Sequence, residues 1–169
     1  VSRYPTHLAL AADNVLGGAQ PLTLLSVRDL ELSIALDGTP IRPVRQADLA
    51  VAEGEAVALI GESGCGKSLT CLAIAGLLPP AVTVARGAID FAGVDLLRDR
   101  PESVRTARRT GIGIVFQEAM AALNPVQSVG RQVTEAVWLR TGVSWRAAKA
   151  EAVRLLARVA LPDPARQAR

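Results

Sequence analysis

The chain has 169 residues, about one domain with room for a real core; half of it is hydrophobic but only 3% aromatic, so the core is expected to be built from Ala, Val, Leu and Ile. Its formal charge of +3 is almost entirely arginine, with Lys67 and Lys149 the only lysines, and is modest evidence for any partner. No run approaches the roughly 20 continuous apolar residues of a membrane span, and residues 1–21 lack the basic start, apolar centre and small-residue cleavage site of a secretory signal. These features predict a soluble, cytosolic chain.

In chain order, residues 1–21 hold Pro5, Gly17, Gly18 and Pro21 without periodicity and read as a loose extension. It carries the only histidine, His7, a solvated residue by default. From Leu22 the texture changes, and Leu24 to Ile34 alternates apolar and polar residues as a half-buried strand does. Asp37-Gly38 predicts a hairpin turn, Arg45–Val51 a second strand, and Glu53-Gly54-Glu55 another turn. Ala56-Val57-Ala58-Leu59-Ile60 then reads as a buried strand. A helix is predicted from Ser68 to about Leu78, stopped by Pro79-Pro80. Ala85–Gly93 reads as a short strand and turn.

The densest basic run, Arg98 to Arg109, is interspersed with Asp99 and Glu102 and has no aromatic residues to stack on bases. It is read as a solvated face or a partner contact, with no nucleic-acid partner. Ile112-Gly113-Ile114-Val115-Phe116 predicts a buried strand ending at Gln117. Two helices follow: Val129–Thr141, capped by Ser128 and closed by Gly142, and Ser144–Ala160, which stops before Pro162. Ala148, Ala152, Leu155, Leu156 and Val159 form one apolar stripe, assigned to the core.

Between the strand at Ala56–Ile60 and the following helix lies Gly61-Glu62-Ser63-Gly64-Cys65-Gly66-Lys67-Ser68, a complete G-x-x-x-x-G-K-S run. Its glycines admit conformations and close approaches that a Cβ would block, so that successive N–H groups can turn around phosphate oxygens. Lys67 supplies positive charge to β/γ-phosphates, the Ser68 hydroxyl is suited to Mg²⁺, and the helix start favours an anion. A glycine-rich turn between strand and helix also occurs without any nucleotide. The strand before, the helix after and the Lys-Ser ending together favour nucleotide binding. Cys65 and Cys71, the only cysteines, have no nearby histidine and are not spaced C-x-x-C, which argues against zinc or redox chemistry. Cys65 is expected to fill a small-residue slot of the loop and Cys71 a buried helix face.

Gly54-Glu55, the loop Gly61–Ser68, the run Gly87–Leu96 and the segment Ile114-Val115-Phe116-Gln117-Glu118-Ala119-Met120-Ala121-Ala122-Leu123-Asn124-Pro125 together resemble the ATP-binding subunits of ABC transporters. The last segment resembles the Q-loop of the oligopeptide, dipeptide and nickel importer branch. The resemblance implies an α/β fold of the P-loop NTPase type: an N-terminal antiparallel β-subdomain, an incomplete RecA-like core and the start of the helical subdomain. Residues 22–169 would be a partial nucleotide-binding domain. It further implies that Gly61, Glu62, Ser63, Gly64, Cys65, Gly66, Lys67, Ser68 and Leu69 hold ATP, that Ser68 and Gln117 face Mg²⁺, and that Lys67 and Gln117 serve the reaction. The implied partners are membrane-spanning permease subunits, a second ATP-binding subunit and an extracytoplasmic solute-binding protein, with the chain peripheral on the cytoplasmic side of the inner membrane.

Departures from the family pattern shape the expectation. No Phe, Tyr, Trp or His lies between Leu22 and Gly54 to stack on adenine, which leaves an aliphatic side chain such as Val44 or Ile34. Glu118-Ala119 replaces the Asp-Pro usual in this branch. The LSGGQ-type signature, the Asp-Glu strand end and the switch histidine of the family do not occur among the 169 residues, and Leu161–Arg169 resembles the linker ahead of the signature. The resemblance therefore implies weak Mg-ATP binding and little turnover by this chain alone. The competing expectations are an ATPase of another ABC system, a remnant that binds nucleotide without hydrolysing it, and, with less support, a small-molecule kinase using the same loop.

Overall fold

Alternation of apolar and polar residues puts one face of residues 23–34 against a core, and a computed structural model of the protein realises this as β1 (Thr23–Ile34). The structure describes residues 22–35, 40–118 and 122–168. The expected loose extension and the Asp37-Gly38 turn lie outside them. β2 (Ile41–Ala52) and β3 (Val82–Phe91) flank β1, and a two-residue β4 (Val94–Asp95) completes an antiparallel sheet of order β2-β1-β3-β4. The second and third strands are each longer than the sequence suggests. Apolar residues beyond the predicted ends find ladder partners: Ile41 pairs with Ile34, and Val82 with the same residue on the other side.

A simple alternation would send Val27 and Leu30 to opposite faces, yet Val27, Leu30 and Leu32 are all buried. The register with β2 shifts between Val27 and Leu30, and Asp29 takes φ 49°. This bulge advances the side-chain phase by one residue and brings all three onto the core face. β2 repeats the device: Gln46 takes φ 49°, and Val44, Ala47 and Leu49 are buried together. The two irregularities are tied across the strands, because the Asp29 N–H donates to Asp48 Oδ1 at 2.8 Å. On the opposite flank, Gly87 takes φ 111°, and a Cβ there would stand 2.6 Å from Leu30 Cα. The sheet therefore changes phase at one level across three strands.

Helix α1 (Lys67–Ala75) contacts β2. It ends at Gly76, earlier than the predicted Leu78, because Gly76 takes the left-handed conformation and its N–H closes on Ala73. The hairpin β3–β4 turns at Ala92-Gly93, and Asp95 then accepts from the N–H groups of Leu97 and Arg98 at 2.9 and 3.2 Å, leading into α2 (Pro101–Gly111). Most of the basic run is exposed on α2, as its composition suggests. Arg108 is the exception: its guanidinium donates to the Leu96 carbonyl at 3.3 Å and occupies the space where a Gly76 side chain would be. Burial lowers its pKa from the ordinary arginine value.

Two expected buried strands are not formed. Residues 56–60 and 112–116 are neither strand nor helix. In the first, half-buried Val57 and Leu59 alternate with exposed Ala56, Ala58 and Ile60, so one side is partly covered but no ladder forms. Apolar runs of this kind become buried parallel strands only with hydrogen-bonded neighbours and layers on both faces, and no strand pairs with either segment among the described residues.

The contacts divide the chain between Arg108 and Arg109 into two units. In the second, α3 (Val129–Thr141) and α4 (Trp145–Arg158) pack together and a short α5 (Pro164–Gln167) packs on α4. Ser128 and Ser144 cap the two long helices by accepting from Arg131 and Ala147 N–H groups, and Gly142 closes α3, all as the sequence predicts. Ala148, Ala152 and Leu156 form the buried stripe of α4. Val159 does not belong to it: the helix has ended, and the side chain is 68% exposed. No helix among the described residues is long and apolar enough to cross a membrane.

Candidate functional site

The phosphate-loop sequence is set up by the sheet on one side and α1 on the other. β2 ends in a turn where Gly54 takes φ 75° and the Glu55 carboxylate accepts from Ala52 N–H at 2.6 Å. At the other end, Gly66 adopts a left-handed conformation, φ 96° and ψ 0°, directly before α1. A side chain there would strain the backbone and stand 2.6 Å from Val44 Cγ2 and 2.7 Å from the Pro43 carbonyl oxygen. Val44 is thus the floor beneath the loop, 4% exposed, rather than a surface for a base. Ile34 is half-buried at the end of β1.

Thr70 pins the start of the helix. Its N–H and its buried hydroxyl donate to the Gly66 carbonyl at 2.9 and 3.0 Å. The N–H groups of Lys67, Ser68 and Leu69 precede the first intrahelical bond, no side chain caps them, and the first turn has no acidic residue. An anion placed there meets donors and the positive end of the helix with no carboxylate in the first helical turn. Gly64, at φ 82°, has open space on its Cβ side.

Lys67 folds over this loop. Its ammonium donates to the Gly61 and Glu62 carbonyl oxygens, both at 2.7 Å, and lies 3.3 Å from Cys65 Sγ. A Cβ on Gly61 would stand 2.7 Å from the same sulfur, so the glycine and the cysteine share one small space. This matches the expected role of Cys65. Cys71 is exposed and not on a buried face as expected, because Thr70 and Ala73 supply the buried side of α1. Glu62, Ser63 and Ser68 are exposed, and the Ser68 hydroxyl forms no hydrogen bond among the described residues. Those residues include no cluster of three His, Cys, Asp or Glu side chains that could hold a metal by itself. A divalent cation would fit here only with phosphate oxygens beside the Ser68 hydroxyl.

Gln117 belongs to the second unit and is exposed at a bend. The residues before it, Ile114, Val115 and Phe116, are exposed as well, against the expected buried strand. Residues 119–121 lie outside the described part. The Asn124-Pro125 turn is held by a residue that the sequence reading missed. Gln132 on α3 accepts from Asn124 N–H at 2.9 Å and donates to the Asn124 and Gln127 carbonyls at 3.0 and 3.1 Å. Asn124 Oδ1 closes the turn on Val126 N–H at 3.0 Å.

Residues 44–169, which contain both the loop and this turn, match the ABC transporter family. The chain belongs to the ABC transporter family. It is 40% identical over 142 residues to the dipeptide transport ATP-binding protein DppD of Bacillus subtilis, a match that covers 83% of this chain and 42% of that protein. It is 41% identical over 147 residues to the oligopeptide transport ATP-binding protein OppD of Mycobacterium tuberculosis, covering 86% of this chain and 24% of the relative. The chain thus spans less than half the length of these relatives. Among solved structures, the dimeric post-hydrolysis state of the ATP-binding cassette MJ0796 bound to ADP and Pi matches 82% of the chain and 58% of its own, with a TM-score of 0.70 at 21% identity. The ABC cassette fold anticipated from the sequence is therefore the fold of this family member.

Proposed function

We propose that the chain is the ATP-binding part of an importer of peptides or similar solutes, with Gly61–Leu69 as the phosphate site. The observation that carries this reading is the Lys67 ammonium held against the main chain of a glycine loop, at the head of a helix with free N–H groups and no acidic side chain in its first turn. In the bound state the main-chain donors from Gly64 to Leu69 surround the α- and β-phosphates. Lys67 turns from carbonyl acceptors to the more strongly attracting β/γ-phosphate oxygens. The exposed Ser68 hydroxyl would be the protein group that holds Mg²⁺ beside the phosphates. Mg²⁺, if held there, would supply positive charge to offset that of the phosphates. Gln117, with a carbonyl acceptor and an NH₂ donor but no charge, has the groups that would orient a water molecule in such a reaction.

The peptide class is supported by the importer-type Met120 to Pro125 segment and by the relatives, whose names are those of dipeptide and oligopeptide transport proteins. The working assembly would pair two ATP-binding subunits with permease subunits on the cytoplasmic face of the inner membrane, supplied by an extracytoplasmic solute-binding protein. The chain alone is expected to bind Mg-ATP weakly and to turn it over little, since phosphoryl transfer also needs a carboxylate on the metal. Calorimetric titration of the wild type and Lys67→Ala tests the site. The expected result is at least about thirtyfold weaker binding in the variant, from the loss of hydrogen bonds to a charged group; equal affinity would refute the assignment.

A further inference from the structure

The only two tryptophans of the chain meet at the tip of the helix pair in the second unit. Trp138, one turn before the end of α3, and Trp145, the first residue of α4, form an edge-to-face pair with centroids 6.2 Å apart and planes at 67°. Neither is spent on the core. Trp138, Leu139, Val143 and Trp145 are each between 39% and 46% exposed. No acidic residue occurs from 136 to 150, while Arg140, Arg146 and Lys149 do, all exposed and without an ion-pair partner among the described residues. Arg109 lines the shallow groove beside Trp138, Leu139 and Arg140. Arg140 in the last turn of α3 suits the negative end of that helix. Arg146 lies in the first turn of α4, where a cation opposes the helix dipole and no acidic residue offsets it. Helix stability does not account for its presence.

We propose that this tip docks on the anionic phospholipid headgroups of a bilayer, the indoles entering the interface and the arginines contacting phosphodiesters. Charge complementarity selects this occupant, together with exposed amphipathic rings clustered at a helix-hairpin turn. Nucleic acid is a poorer fit, since an edge-to-face pair does not offer parallel platforms for bases. The inference rests on the proposed membrane-side placement of the chain, but its test does not involve nucleotide.

Intrinsic tryptophan fluorescence reads only these two residues. Vesicles containing phosphatidylglycerol should shift the emission to the blue and co-sediment the protein; vesicles of phosphatidylcholine alone should do neither. About 0.5 M salt should suppress the effect by screening. Arg140→Gln combined with Arg146→Gln should weaken vesicle binding roughly 25-fold, about fivefold per arginine, and leave the ATP titration as in the wild type. No shift with anionic vesicles, an equal shift with neutral ones, or undiminished binding by the double variant would overturn the proposal. So would a blue shift produced by polyglutamate but not by the vesicles, which would assign the tip to an acidic protein. Loss of ATP binding in the wild type would overturn the phosphate-site reading instead.

Discussion

The two units of the chain place their polar chemistry in different parts of the residue. Around the loop, the groups that would meet a phosphate are main-chain N–H groups and one lysine, held by glycines whose missing side chains make the geometry possible. In the second unit the organising contacts are side-chain contacts: Gln132 binds three main-chain groups of the Asn124 turn, and Ser128 and Ser144 cap helices. Main-chain sites tolerate few substitutions and leave a short, dense motif. Side-chain brackets can span eight residues and look like ordinary polar positions until the chain is folded.

This contrast predicts larger effects in the first unit. Leu30→Ala, at a fully buried position where the bulges of three strands meet, should cost about 2–5 kcal/mol in denaturant unfolding. Gly66→Ala should cost about 1–3 kcal/mol by backbone strain alone and should weaken nucleotide binding, since the new Cβ meets Val44 and Pro43. A stable, fully binding variant would show that the loop does not require its glycine. In the second unit, Gln132→Ala should cost about 1–2 kcal/mol. It should speed amide exchange at Asn124 while leaving exchange at Thr70 unchanged. Ser144→Ala should cost about 1 kcal/mol in thermal unfolding. Smallest of all, and in the first unit but away from both its buried sheet and its loop, Glu102→Gln, which removes the exposed pair with Arg105, should change stability by less than about 1 kcal/mol.

The glycine turn ahead of α1, the caps of α3 and α4 and the family were legible because each depends on local residue type at fixed spacing. Ser128, Gly142 and Ser144 specify helix ends within a single turn, with no need of distant partners. The phase change at Asp29 and Gln46 was not legible: it depends on pairing between strands, and either residue alone reads as a polar position on a solvent face. Residues 56–60 and 112–116 misled for a related reason. Their apolar runs record a preference for burial, whereas a strand requires neighbours to complete its hydrogen bonds. Val159 shows the same limit on a smaller scale, since its place in the helical stripe has meaning only while the helix continues. Gln132 carried no signal, because its three partners become neighbours only through the turn at Asn124-Pro125.

The central claim is that the main chain of Gly61–Leu69 is a phosphate cradle. Amide resonances followed by NMR during titration with Mg-ATP test it at the atoms concerned. The account predicts that the N–H signals of Gly64, Cys65, Gly66, Lys67 and Ser68 move most, and that adenosine, which lacks phosphate, leaves them in place. Unmoved loop amides under saturating ATP, or equal shifts with adenosine, would contradict it.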